Sequence, residues 1–491
     1  MKKYILFGAG NFGKMALGYY GAENVECFAD NNQAKVGQFI QGKPIISFQK
    51  MKEIAGAFHI VISSGSIDSM AKQLEENGIS EYLLYSPSMQ NLSRNLCDYF
   101  HTHHINSIAL FGIDAYTRVI ISLLQKMGLG DRLHYIAVSR AEEVNSNTSL
   151  FSYKVCMPPQ NNPDVDCFIV SAALNHAALY AQLRQKYKGY LIFNPFRQRA
   201  YYDTEEIVFQ QSGEAENTEE QWEQIVENDR TRDSVRAYVE AIKDSVPLFE
   251  FVEIETINRC NGMCSFCPVN KKIDPRVEAK MSWELFKQII RQLELLDYDG
   301  ELALFSNNEP LLDERIVELH RYARGHLPKA RMHLFTNGTL LTIPKFEALI
   351  PYLDELITDN YQQELLLIRP SREIKKYVEE HPELRKKVTI VLRKPHEVLT
   401  SRGGDAPNRK HLVSYGEDTC ALPFQQLIIR PDGKVSLCCN DPLGKCTLGD
   451  LTKQSLLDVW YGPQFQMVRM CLAEGRKNWK HCEFCDTFYV Y

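Results

Sequence analysis

No run of about 18 apolar residues occurs anywhere in the chain, so no transmembrane helix is expected. Positive charge is not in surplus either. The 56 Lys and Arg stand against 62 Asp and Glu, a net charge of −6. The chain as a whole therefore offers no electrostatic footprint for nucleic acid or an anionic membrane. A secretory leader is missing: the apolar run behind Met1-Lys2-Lys3 extends only from Tyr4 to Phe7 before Gly8. A cytoplasmic protein is expected, in which the sequons at Asn91, Asn147 and Asn337 carry no meaning. Compositional bias is absent as well. A hydrophobic fraction of 44% and a charged fraction of 24% exclude a wholly disordered, collagen-like or coiled-coil protein.

Cysteine, by contrast, is plentiful: 14 residues in a chain of 491. A reducing cytosol disfavours disulfides, so clustered cysteines there indicate metal or redox chemistry. Cys27, Cys97, Cys156 and Cys167 are scattered and read as small hydrophobes. The other ten lie between Cys260 and Cys485. The two halves of the chain should do different things.

The first 200 residues contain an internal repeat. Tyr4 to Gly8 reads as a strand and turn, followed by a helix to about Tyr20 and strands at Val25 to Ala29, His59 to Ser63 and Tyr82 to Leu84. The pattern restarts at Ile108 to Gly112, continues through a helix from about Ala115 to Lys126, and ends at a strand from Tyr190 to Phe193. Such alternation implies parallel, doubly wound sheets. His101, His103 and His104 fall in a polar segment read as a solvated linker. Thr218 to Gln221 forms a capping box that opens an acidic helical stretch. From Phe251 the alternation resumes for five strands, with helices such as Ser282 to Leu296 carrying one apolar face. After Cys420 it gives way to a hairpin around Pro431-Asp432-Gly433. The fold expected is α/β: two tandem Rossmann-like domains (1–100 and a degenerate 101–203), a helical connector (204–248), a partial β/α, TIM-like barrel (249–415) and a small C-terminal domain (416–491).

Cys260, Cys264 and Cys267 follow directly on the first barrel strand, spaced Cys-x3-Cys-x2-Cys with Phe266 before the last. Three thiolates within eight residues wrap one compact cluster and leave its fourth iron open. A structural zinc, the competing reading, prefers four protein ligands, commonly in two separated pairs. Placement at the C-terminal end of a barrel strand favours an active site.

These residues resemble the radical S-adenosylmethionine (SAM) superfamily. Asn307-Asn308-Glu309-Pro310 follows the second strand, where that family carries Gly-Gly-Glu-Pro; the glutamate is kept and both glycines are asparagine. Thr336-Asn337-Gly338 ends the third strand, and Arg393 and Arg402-Gly403-Gly404 follow the fifth. The resemblance implies a [4Fe-4S] cluster on the cysteine triad. It places Phe266, Asn308, Glu309, Thr336, Asn337 and Arg393 around SAM, with Glu309 and Arg402 as catalytic residues. Reductive cleavage of SAM would yield a radical that removes a substrate hydrogen, fed by a flavodoxin or ferredoxin-like reductant.

Cys420, Cys438, Cys482 and Cys485 provide four further thiolates, enough for a complete second [4Fe-4S] site. Their arrangement resembles the SPASM/twitch auxiliary domains. No cysteine follows Cys485, so one auxiliary cluster is expected, as in the aminocyclitol dehydrogenase of aminoglycoside biosynthesis. Neighbouring strand residues face opposite sides, and of the pair Cys438-Cys439 the first is taken as the ligand. A zinc ribbon is the alternative.

Gly8, Gly10 and Gly13 sit between a strand and a helix, with Asp30 at the end of the next strand. That context suits a nucleotide or dinucleotide: glycines near phosphate, an acid for ribose. A purely structural loop fits the same pattern. A fully ligated auxiliary cluster accepts an electron but not substrate. The function expected is therefore oxidation of a small molecule: a sugar, cyclitol or nucleotide-linked sugar. A peptide-modifying SPASM maturase and a nucleotide-sensing scaffold with a structural metal centre are the alternatives.

Overall fold

The computed structural model describes residues 2–64, 67–85, 89–139, 144, 149–150, 153–159, 163–173, 176–196, 206–210, 218–227, 229 and 231–489. Asn147 and the expected boundary at 203–204 lie outside them. The chain divides into two compact units, Met1–Arg197 and Gln198–Tyr491. Among the described residues no helix is long and apolar enough to cross a membrane.

The first unit is built on two six-stranded sheets. One contains β1 (Tyr4–Phe7), β2 (Val25–Asp30), β3 (Phe39–Ile40), β4 (Lys43–Ser47), β5 (His59–Ile62) and β6 (Leu83–Leu84) in the order β3-β4-β2-β1-β5-β6. The other contains β7 (Ile108–Phe111), β8 (Leu133–Ala137), β9 (Ser149–Leu150), β10 (Tyr153–Cys156), β11 (Cys167–Val170) and β12 (Leu191–Phe193) in the order β12-β11-β7-β8-β10-β9. Pairing is parallel except at β3–β4 and β9–β10. Apolar runs such as Ile5-Leu6-Phe7 and Ile108 to Phe111 are buried on both faces, as parallel strands under helices require. The segment around residue 100 is not a linker. It belongs to the helix Met89–Thr102, which buries Leu92 and Leu96 on one face and stacks Tyr99 on Phe193 at 4.1 Å.

The second unit holds one nine-stranded sheet. Its strands are β13 (Val208–Gln210), β14 (Phe251–Ile254), β15 (Glu301–Ala303), β16 (Arg331–Thr336), β17 (Glu355–Tyr361), β18 (Val388–Arg393), β19 (Gln426–Ile429), β20 (Lys434–Ser436) and β21 (Thr447–Asp450), in the order β13-β18-β17-β16-β15-β14-β19-β20-β21. From β14 to β18 each strand is laid parallel beside the one before it, with helices between. The helix Trp283–Leu295 buries Phe286, Ile289, Ile290 and Leu293 at 0–1% exposure, each worth about 1.5–3 kcal/mol. The stretch expected to be a purely helical connector contains β13, which pairs with β18 and extends the sheet. Its two helices, Glu219–Glu227 and Thr231–Ile242, follow. The capping box forms as a reciprocal pair: Gln221 N–H donates to Thr218 Oγ1 at 3.2 Å and Thr218 N–H to Gln221 Oε1 at 2.9 Å.

Candidate active site

The C-terminal ends of β14 to β18 converge on a cavity of about 330 Å³. The loop after β14 brings Cys260, Cys264, Phe266 and Cys267. The loop after β15 brings Ser306 to Glu309, β16 ends in Thr336 and Asn337, and β17 supplies Asp359 and Tyr361. Arg402 comes from beyond β18, and Cys439 from beyond β20.

Second interactions hold these groups. Glu309 is buried, and its carboxylate accepts from Thr336 Oγ1 (2.7 Å), Asn337 N–H (2.8 Å) and Leu311 N–H (3.0 Å). Burial raises its acidity constant despite these donors. Asn337 Nδ2 donates to Asn261 Oδ1 at 2.7 Å and so ties the end of β16 to the cysteine loop. Phe266 packs on Tyr361 with ring centroids 5.7 Å apart. Arg393 does not line the cavity: its guanidinium bonds Asp359 at 3.2 Å and Glu397 at 3.3 Å. The expected SAM contact is thereby replaced by a brace on a residue that does line it.

Glu253, a lining residue the sequence reading missed, lies in the middle of β14. A carboxylate inside a parallel strand is the signal that could have found it. It accepts from Ser306 Oγ at 2.6 Å, and burial pushes it up to about 7, only partly opposed by Ser306 and Arg402.

Cys420, Cys438, Cys482 and Cys485 line a second cavity, together with Gly403, Leu437 and Arg476. The strand argument for choosing Cys438 over Cys439 needs correction, because β20 ends at Ser436 and both cysteines sit in the turn beyond it. That turn sends Cys438 to the second cavity and Cys439 to the first. Burial pushes both thiols up. Asn307 Nδ2 donates to Cys439 O at 3.1 Å and closes the partition.

In the first unit, Gly8 adopts φ +118°, and a Cβ there would stand 2.6 Å from Ser63 O. A Cβ on Gly13 would meet Gly8 O at 2.1 Å. Both glycines are therefore demanded by strand–helix packing, and only Gly10 faces open space. Asp30 braces the loop. Its oxygens accept from Ala9 N–H and Asn32 N–H, both at 2.8 Å, and Lys35 Nζ is 3.1 Å away. Those bonds take up the carboxylate that was expected to face a ribose. In the second copy Asp114 caps the helix Ala115–Lys126 and bonds Ala173 N–H at 2.7 Å, filling the place a phosphate would need.

The donor sets fit iron–sulfur clusters. Three sulfurs share one cavity and four share the other. Asn308 Nδ2, on the wall of the first, is buried without a hydrogen-bond acceptor in the chain, as expected where a bound group supplies one. Among the described residues no three Cys, His, Asp or Glu side chains converge closely enough to hold a single ion.

Comparison with known proteins agrees. Residues 254–362 match the Radical SAM superfamily, and residues 420–486 match SPASM, an iron-sulfur cluster-binding domain. The chain is 26% identical over 247 residues to the S-adenosyl-L-methionine-dependent 2-deoxy-scyllo-inosamine dehydrogenase of Niallia circulans, a match covering 50% of this chain and 95% of that one. Two solved structures are also similar. BtrN in complex with AdoMet and 2-DOIA has 24% identity and a TM-score of 0.43, covering 50% of this chain and 99% of that one. The enzyme anSMEcpe with bound AdoMet has 15% identity and a TM-score of 0.29, covering 49% and 85%. The cofactors are SAM, a [4Fe-4S] cluster and an auxiliary cluster. The chain carries a radical SAM domain followed by a SPASM iron-sulfur cluster-binding domain, and it is a radical SAM enzyme.

Proposed function

We propose that the second unit oxidises a secondary alcohol of a cyclitol or sugar. The observation that carries this reading is the shared wall between the two cavities. Cys438 lines one and its neighbour Cys439 the other, while Gly403 and Arg402 divide in the same way. An electron leaving a substrate in the first cavity would have only this thin wall to cross. The similar 2-deoxy-scyllo-inosamine dehydrogenase makes an aminocyclitol the substrate to try first.

Cys260, Cys264 and Cys267 would hold the first cluster, and Cys420, Cys438, Cys482 and Cys485 the second. Phe266, Asn308, Glu309, Thr336 and Asn337 would surround SAM. When bound, these groups supply a 5′-deoxyadenosyl radical on one side and a one-electron acceptor on the other. The chain's own residues handle the proton. An alcohol that has lost its carbon-bound hydrogen must still give up its hydroxyl proton to become a ketone. Glu253, pushed up to about 7 by burial, is a base matched to neutral pH. Arg402, on the same wall, would orient the hydroxyl. The test is incubation with SAM, dithionite and carbon-deuterated 2-deoxy-scyllo-inosamine, which should yield ketone and deuterated 5′-deoxyadenosine. Deuterium-free 5′-deoxyadenosine with unconsumed cyclitol would reject the reading.

Two variants test the residue roles. Glu253 is neutral below about pH 7 and ionised above it, so ketone formation should rise through neutrality. Glu253→Gln should lower the rate by about 10² or more and flatten that pH profile. Glu309→Gln should weaken SAM binding more than it changes iron content, measured by equilibrium binding and iron assay. The amide keeps the size but loses the charge that would attract an amine and one of the acceptors now facing Thr336 and Asn337.

A nucleotide-linked sugar is a narrower form of the substrate proposal. It rests on Gly10, whose helix has no side-chain cap and opens toward free space. A low-potential flavodoxin or ferredoxin-like protein is the proposed reductant.

A further inference from the structure

We infer that the helix Glu219–Glu227, which precedes and lies outside both matched domains, is a clamp that positions Arg402 through Trp222 and Asp486. The inference rests on the oxidation reading for Arg402's role but not for the clamp itself.

The loop carrying Arg402 is held from outside because its own backbone is strained. Arg402 adopts φ +50°, a conformation that disfavours any residue with a Cβ, and Gly403 continues at +64°. One residue earlier, Ser401 N–H donates to Asp486 Oδ1 at 2.7 Å, and Ser401 Oγ donates to Phe484 O at 2.6 Å. The other oxygen of Asp486 accepts from Trp222 Nε1 at 2.8 Å and from Arg409 Nη1 at 2.9 Å. The Asp486 side chain is fully buried, so each of these bonds works in a medium that does not compete for it. The same helix grips the far end of the loop: Glu219 accepts Lys410 N–H at 2.5 Å and His411 N–H at 3.1 Å.

One helix therefore pins residues 401 and 410–411, and Arg402 lies between the pins. Asp486 also follows Cys485 directly, so the carboxylate that fixes Arg402 is anchored to a proposed ligand of the second cluster. Trp222 and Asp486 are positioning residues, acting on substrate only through Arg402.

The test uses the full chain with both clusters installed. Trp222→Phe keeps the ring and removes the indole donor. Hydrogen exchange across 401–411 should become several-fold faster, while iron content and substrate-free SAM cleavage stay at wild-type levels. With 2-deoxy-scyllo-inosamine, KM should rise about tenfold, the scale of one lost hydrogen bond to a charged acceptor. The ketone-to-5′-deoxyadenosine ratio should fall with it. In an Arg402→Lys background, Trp222→Phe should add nothing further, because distant independent effects add and coupled ones do not. Unchanged exchange at 401–411 would overturn the clamp. So would a parallel loss of iron, which would make Trp222 a support for Cys485 alone, or an undiminished effect in the Arg402→Lys background. Failure of wild-type enzyme to consume the cyclitol would reject the oxidation reading, and the exchange data would still decide the clamp.

Discussion

Replacing Cys260, Cys264 and Cys267 together by Ala should abolish 5′-deoxyadenosine formation and remove about half of the iron taken up on anaerobic reconstitution. Two cubanes supply about eight irons per chain, and only one of them rests on this triad. The three sulfurs share a wall with Glu309, Thr336 and Asn337, and no other cysteine except Cys439 reaches that cavity among the described residues. Cys439 alone does not replace three ligands. Burial pushes the Cys260 thiol up to about 12 and Cys264 further still. These groups become thiolates by giving their protons up to bound iron, so cluster loading should release protons and be favoured at higher pH. The second cavity keeps its four sulfurs in the variant and should retain the remaining iron. Iron assay, together with chromatography of 5′-deoxyadenosine, reads both effects. A triple variant that still cleaves SAM would mean that the active cavity is elsewhere.

Much of this architecture is legible before any coordinates, for physical reasons that can be named. β16 and β18 occupy the residues that their apolar periodicity marks, and the cysteine triad announces itself by spacing alone. What escapes is short, local or decided at long range. The β3–β4 hairpin turns on Gln41-Gly42, both at positive φ, where an asparagine would have given the usual hairpin signal. β13 has three residues and exists because β18 offers an edge. The helix Met89–Thr102 hides behind its histidines, although Leu92 and Leu96 carry the four-residue spacing. Within the site, Arg393 has the right place in the chain but is captured by Asp359, a contact no sequence window contains. Glu253 was overlooked because a single acid in a strand looks like a solvent-facing residue until the strand proves central.

The variant Cys482→Ala should separate the two halves of the reaction. Cys482 lines the second cavity with Cys420, Cys438 and Cys485, and none of the four lines the first. Losing one of four ligands should empty that site while the triad keeps its own cluster. SAM should still be cleaved, so 5′-deoxyadenosine should persist. The substrate would lose a hydrogen atom but have nowhere to send its electron, and ketone should disappear. The comparison with Cys439→Ala sharpens the point. Cys439 differs from Cys438 by one position yet faces the substrate cavity, so its loss should spare the second cluster's iron. If the cysteine of this pair that holds the cluster were Cys439, the two iron contents would be reversed. Were the second site a structural zinc, wild-type enzyme would contain zinc, and Cys482→Ala would either unfold or keep full turnover. Full ketone formation by Cys482→Ala would defeat the electron-acceptor role and point to a reaction that leaves the substrate's oxidation state unchanged.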